Sequence, residues 1–256
     1  MDKAIKDHLK QTFFLTIDQL NTEAIYYYRQ RELEKETTMQ LVIEERTTAL
    51  KGCDERVAGA NMMKWIAYLC TAHQYAVSIH DHWLSYEDLA FFKNDEEVGF
   101  TLINSEWKPL PGSQREDYIT EKWTQLYTQL RPMIEKVALA SGLPIQQAWG
   151  LLCNPFYKQQ EAWMIKASDT RKQQINEDLH VLRNIKSEVF GLKRNPYQVS
   201  FRYVDSWWEP VEPVRVKAAC CMSYLKERGK KCYACPKLTN EEREIRGKEI
   251  NKEKAQ

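Results

Sequence analysis

AGANMMKWIAYLCTAHQYAVSIHDHWLSYEDL, residues Ala58 to Leu89, is the stretch that decides the fold. It is rich in apolar side chains, carries one glycine and no proline, and has Lys64 as its single charged residue before Asp81. A run of that length without breakers predicts a central buried helix, with a break near His80. The rest of the chain has to supply the elements that cover it.

On the N-terminal side, Asp2 to about Leu50 is polar with apolar residues at helical spacing, as in Ile17, Leu20, Ala24 and Tyr28 or Leu41, Ile43 and Leu50. One or two helices are expected there. On the C-terminal side, Val98 to Ile103 favours a β-strand and ends before the turn residues Pro109, Pro111 and Gly112. Helix then resumes, with Ser113 or Asp117 as cap, Tyr118, Trp123, Leu126, Tyr127, Leu130 and Ile134 on one stripe, and a stop at Gly142 and Pro144. A further helix is predicted from Gln146 to about Lys166. A long one follows, capped by Ser168 or Asp169, with Ile175, Leu179, Leu182, Ile185 and Val189 in register up to Gly191. Alternating Val199, Phe201 and Tyr203 predict a strand before Trp207 and Trp208. Thr239 to Glu242 reads as a capping box opening a charged, solvated helix. The fold class expected is mainly α with a few short β-strands, an α+β arrangement.

Composition sets the frame. The chain has 256 residues, 43% hydrophobic and 29% charged, enough to bury a core without crosslinks. The start, MDKAIKDHLKQ, lacks the pattern of a secretory signal, and no apolar run is long enough for a membrane span. A cytoplasmic protein that does not span the membrane is the expectation. The net charge of +1 gives no global attraction to nucleic acid, and no finger or recognition-helix pattern is present.

Four of the seven cysteines, Cys220, Cys221, Cys232 and Cys235, fall within sixteen positions. In a reducing compartment such a cluster points to metal binding or catalysis rather than to disulfides. Cys53, Cys70 and Cys153 lie alone and read as buried small hydrophobes. Structural zinc on four cysteines is one reading of the cluster, as in a non-catalytic helical interaction protein. The adjacent pair departs from the usual zinc-knuckle spacing of two to four residues between ligands. An iron–sulfur cluster also takes four thiolates, spread over more than one iron. Gly229 lets the intervening SYLKERGKK fold back and bring the two pairs together. A thioredoxin-like role for the C-Y-A-C pair lacks its βαβ surroundings.

The C-C-x10-C-x2-C arrangement, with MSYL after the first pair and Pro236 after the last cysteine, resembles the C-terminal motif of the ferric siderophore reductases, the FhuF-like family. Val137 to Tyr157, VALASGLPIQQAWGLLCNPFY, is similar to that family's glycine-leucine-proline then tryptophan-glycine segment, with Leu151 where an asparagine is expected. Similar domains occur in siderophore synthetases, whose nucleotide-binding motifs are missing from this sequence. The resemblance implies a helical FhuF-like body over 1–210, an appended four-cysteine module over 211–240 and a charged tail over 241–256. It also implies that Cys220, Cys221, Cys232 and Cys235 hold a 2Fe-2S cluster, and that the chain is an oxidoreductase passing one electron to siderophore-bound Fe(III) in iron uptake. The electron would come from a ferredoxin, a flavoprotein or a thiol.

Such a reaction needs a cluster near the surface and a site for the ferric complex, with no general acid or base, Glu87 and Asp88 included. From Arg215 to Leu238 there are seven basic residues, Arg215, Lys217, Lys226, Arg228, Lys230, Lys231 and Lys237, against Glu227 alone. Positive charge of this kind favours the reduced, more negative state of a cluster and attracts an anionic complex or an acidic donor protein. Arg202, Trp207, Trp208, Arg215, Lys217, Lys230 and Lys231, with Tyr203, are the candidate substrate-binding residues. His73, His80 and His82 read as satisfied or surface histidines, since His80 and His82 point to different helix faces. If the body forms a pocket, the Trp83-flanked patch is a candidate wall. Trp65, Trp107, Trp123 and Trp149 read as core.

Overall fold

The computed structural model describes residues 1–18, 24–95 and 97–254. In chain order the elements are α1 (Lys3–Phe13), β1 (Leu15–Ile17), β2 (Tyr26–Arg29), α2 (Gln30–Leu33), α3 (Glu36–Ala49), α4 (Arg56–His80), β3 (His82–Ser85), β4 (Asp88–Lys93), β5 (Val98–Ile103), β6 (Glu106–Pro109), α5 (Arg115–Ser141), α6 (Ile145–Lys166), α7 (Asp169–Asn184), β7 (Tyr203–Asp205), β8 (Pro213–Arg215) and α8 (Asn240–Lys254). The architecture is mainly α with small sheets, as expected.

α4 is the axis. Met62, Met63, Ile66, Ala67, Ala72 and Val77 are wholly buried, because α1, α3, α5, α6 and α7 surround it. It ends where the break was expected: Asp81 adopts the left-handed conformation (φ 55°) and the chain turns directly into β3. Two arginines lock this end. The Asp81 carboxylate accepts from Arg115 Nη1 at 2.7 Å and Arg171 Nη2 at 2.8 Å, and buried Asp178 accepts from Arg115 Nε and Nη2, both at 3.0 Å, and from Ser78 Oγ at 2.8 Å. These contacts fasten α4, α5 and α7 to one another.

β1, β5, β4 and β2 form one sheet in that order, with β1 parallel to β5 and the other pairs antiparallel. Leu89, Ala90, Phe91 and Phe92 of β4 are buried on both faces of the strand. Gly99 in β5 lets the chain cross close by, since a Cβ there would stand 2.1 Å from the Phe14 carbonyl oxygen. β3 pairs with β6, and β7 with β8.

Three expectations are corrected. The helical stripe through Ile17, Ala24 and Tyr28 does not form: Ile17 lies in β1 and Tyr28 in β2, where three consecutive tyrosines pair with β4; Leu20 lies outside the described residues. The helix predicted to reach Gly191 stops at Asn184, because Asn195 Nδ2 donates to the carbonyls of Leu182 and Ile185, each at 2.9 Å, and takes over its final acceptors. The strand predicted through Val199 and Phe201 is confined to Tyr203–Asp205, the length its short partner β8 can match.

The capping box holds: Glu242 N–H donates to Thr239 Oγ1 and Thr239 N–H to Glu242 Oε2. α8 is nevertheless packed along one face. Arg243 is buried and donates to the carbonyls of Tyr233 and Cys235, and Gly247 stands against Trp207 and Tyr233.

Candidate functional site

The cysteine loop is held in place from α6. Asn154 Oδ1 accepts from Ala218 N–H and its Nδ2 donates to the Ala219 carbonyl, both at 2.9 Å. Two helical turns earlier on the same side, Gln147 Nε2 donates to the Cys220 carbonyl at 2.8 Å. Between them Gly150 allows contact, since a Cβ added there would sit 3.2 Å from that of Ala219. The glycine-leucine-proline segment sets this helix up: Gly142 ends α5 in the left-handed region (φ 65°) and Pro144 caps α6. Trp149 is fully buried behind it. The two stretches that carry the family resemblance therefore pack directly on each other. Leu151 faces a neighbouring cavity, and Asn154 is the asparagine that bonds the cysteine loop.

The second half of the loop is tied to the turn between α3 and α4. Cys53 N–H donates to Leu225 O at 2.7 Å, and Glu227 N–H to Lys51 O at 2.8 Å. Cys53 is thus exposed in a turn, a correction to its reading as a buried hydrophobe, whereas Cys70 and Cys153 are buried and their thiols pushed up to about 12 by burial. At Gly229 the chain doubles back so closely that a Cβ would stand 2.4 Å from the Ser223 carbonyl oxygen. This is the return that brings Cys232 and Cys235 to the first pair.

All four cysteines line one cavity of about 120 Å³, together with Lys217, Ser223, Tyr224, Lys230, Lys231 and Pro236. Cys220 and Cys235 are buried, with their sulfurs 3.6 Å apart; Cys221 and Cys232 are half-buried at the rim. Among the described residues no three His, Cys, Asp or Glu side chains form a ready single-ion group. A set of four thiols around one space, two inside and two toward solvent, has the donor chemistry and the partial exposure that a 2Fe-2S cluster takes.

The electrostatics differ across this space. Burial lifts the Cys220 thiol to about 11, and the neighbouring Cys235 adds to the effect. Burial acts upward on Cys221 too, but Lys217 and the Ser223 hydroxyl and N–H together bring it below its ordinary value. Lys217 Nζ lies 3.9 Å from Cys221 Sγ. Burial disfavours its charge, yet the thiolates of Cys221 and Cys232 outweigh that and raise its pKa.

The other candidates fall in several places. Lys230 pairs with Glu253 at 2.9 Å, Lys231 with Glu242 at 3.1 Å, and Arg215 with Glu161. The basic surplus along the loop is thus partly neutralised by acids of α8 and α6. Arg215 also lies over the Tyr157 and Phe201 rings. Trp207 packs on Trp208 and Tyr233 beneath α8, while Arg202 and Tyr203 are exposed on the β7 side. Of the named candidates, Lys217 alone reaches a second cavity.

That second cavity, about 370 Å³, adjoins the first and shares Lys217, Cys221 and Ser223 with it. Its other walls include Lys64 and Tyr68 of α4, Lys158 of α6 and Lys226 of the loop. The Trp83-flanked patch is not among them. It lies at the opposite end of α4, sixteen residues or about 24 Å from Lys64, with Trp83 buried against His73 and Trp123 and His82 stacked on Trp107. Lys64 and Lys158 were not singled out in the sequence. A lysine interrupting the apolar run MMKWIAYL was the available signal for the first.

No family model, curated protein or solved structure matches the chain. No helix among the described residues is long and apolar enough to cross a membrane.

Proposed function

We propose that this protein is a ferric siderophore reductase of the FhuF-like kind, acting in the cytoplasm, with Cys220, Cys221, Cys232 and Cys235 as the ligands of a 2Fe-2S cluster. The observation that carries the reading is the cavity lined by those four cysteines, which shares Lys217, Cys221 and Ser223 with a larger cavity beside it. When bound, the cluster supplies one-electron transfer. The chain's own part is to hold it close to solvent and to place a ferric complex beside it. Gln147 and Asn154 fix the loop backbone on α6, and Lys217 offsets the negative charge of the thiolates.

Each turnover moves one electron from a ferredoxin, flavoprotein or thiol donor to one Fe(III), and no bond within the siderophore breaks. Hydroxamate, catecholate and carboxylate oxygens are hard donors suited to Fe(III), so reduction loosens the complex and frees Fe(II). No side chain has to transfer a proton in this step.

The test is single-turnover. Protein reduced anaerobically and freed of excess reductant is mixed with a ferric siderophore and a chromogenic Fe(II) chelator. About one Fe(II) per chain is expected from the wild type and none above background from Cys232→Ser. A mutant that yields as much Fe(II) as the wild type would refute the assignment.

A further inference from the structure

We propose that the cavity between α4, α6 and the cysteine loop is a binding site for compact polyanionic metal chelates, so that anionic ferric complexes rank above neutral and cationic ones as substrates. The inference rests on the reductase reading for the word substrate; the binding site itself stands on the cavity.

Four ammonium groups, Lys64, Lys158, Lys217 and Lys226, line this space, and among the described residues no aspartate or glutamate does. Among the described residues, Lys64, Lys158 and Lys226 make no salt bridge, in contrast to Lys230 and Lys231 on the neighbouring cavity. A fifth positive charge stands behind the wall. Arg46 is buried and donates to Asn61 Oδ1 at 2.9 Å, also without a salt bridge among the described residues. Like charges gathered at one concavity, three of its four lysines without a salt bridge among the described residues, repel each other and raise the local concentration of anions.

The wall chemistry narrows the ligand further. Lys64 Nζ sits 5.0 Å from the Trp65 ring centroid and 5.4 Å from that of Tyr68, which holds the ammonium on an aromatic shelf at the cavity. Partial burial, then Lys226 and Arg46, lower its pKa, and a bound anion would counter that repulsion. Asn61 Oδ1 already accepts from Trp65 and Arg46, and Asn154 is committed to the loop backbone. The charged recognition groups on the wall are four lysines, beside the neutral donors of Asn61, Tyr68 and Gln159. A volume of about 370 Å³ lies toward the lower end of small-molecule sites, which run from roughly 300 to 1,000 Å³. It takes a compact chelate or one arm of a larger one, with the metal next to Cys221.

The test uses gallium(III), which binds like Fe(III) but cannot be reduced under these conditions, so that binding is read apart from electron transfer. Titration calorimetry on the full chain, reconstituted anaerobically with iron and sulfide, compares a tris-catecholate gallium trianion with a neutral tris-hydroxamate gallium complex at low and at moderate salt. At low salt the trianion is expected to bind at least tenfold tighter, and the ratio to shrink as salt rises. Lys64 and Lys158 are exposed, so Lys64→Gln/Lys158→Gln is expected to fold normally by circular dichroism and to bring the ratio to about threefold or less. Equal or tighter binding of the neutral complex, no binding of the trianion, or a ratio unchanged in the double variant would each overturn the proposal. The visible absorbance of the same sample separates the two claims. A colourless protein that keeps the lysine-dependent preference sinks the reductase reading alone, and a coloured one without it sinks this proposal alone.

Discussion

His73 lies wholly inside the molecule, its Nδ1 2.9 Å from the Leu69 carbonyl oxygen and its ring against Trp83 and Tyr86. Burial outweighs the hydrogen bonds to the Leu69 and Leu84 backbone and lowers its pKa to about 4. An unfolded histidine takes up its proton near pH 6.5. As pH falls from 6.5 toward 4 the unfolded chain therefore gains a proton that the folded one refuses, and stability drops. Between pH 7 and pH 5 this one group is expected to cost about 2 kcal/mol. Urea unfolding of His73→Leu should show that much less loss over the same interval, and parallel curves for the two proteins would remove His73 as the cause. Such depth was not legible beforehand, because AHQYAVSIHDHW reads alike for a buried and a surface histidine. Cys70 and Cys153 were legible as buried from their apolar neighbours. Cys53 was not, because its exposure depends on a loop more than 170 residues away that pins the turn from outside.

At the scale of elements, α6 is what makes the cysteine loop a defined object. Asn154→Leu removes both side-chain bonds to the loop and leaves the Ala218 N–H and Ala219 carbonyl without them, a loss of about 1–3 kcal/mol. The expected result is faster tryptic cleavage within Lys226–Lys231, with far-UV circular dichroism unchanged. Cleavage at the wild-type rate would mean that the clamp on α6 does not hold the loop. How much of this was readable varied with the physics that fixes each element. The C-terminal end of α5 and the start of α6 were legible from Gly142 and Pro144, whose backbone preferences act locally, whereas the start of α5 falls at Gln114 rather than at the expected caps Ser113 or Asp117. The end of α7 was not, since Asn195 terminates it from eleven residues beyond. β2 was misread because Tyr26–Tyr28 fit a helical spacing as well as a strand, and pairing with β4 decided between them.

Across the whole molecule, charge is placed in two distinct ways. At the end of α4 it is paired and partly buried: Arg115 bridges Asp81 and Asp178, the latter with 1% of its side chain exposed. Arg115→Ala leaves Asp178 buried without its main counter-charge and is expected to destabilise by about 3–5 kcal/mol. In urea unfolding the double variant Arg115→Met/Asp178→Leu should recover most of that loss. A small effect of the single change would show that the bridge does not hold the helices together. At the other end, around the cysteine loop, Lys64, Lys158 and Lys226 make no salt bridge among the described residues and face a cavity. The charge surplus of the loop was countable in the sequence. Which lysines α8 would neutralise, and which would join Lys64 and Lys158, required the three-dimensional path of the chain. The loop also shares one continuous core with the helices, through Ala219, Cys220, Met222, Cys235 and Leu238.

The central claim is that the four thiols lining one cavity hold an iron–sulfur cluster. It is tested most directly by an anaerobic absorption spectrum of the purified protein before and after dithionite, with iron and zinc assayed on the same sample. About two irons per chain and a visible band that bleaches on reduction are expected. Stoichiometric zinc in a colourless protein, persisting after reconstitution with iron and sulfide, would contradict it.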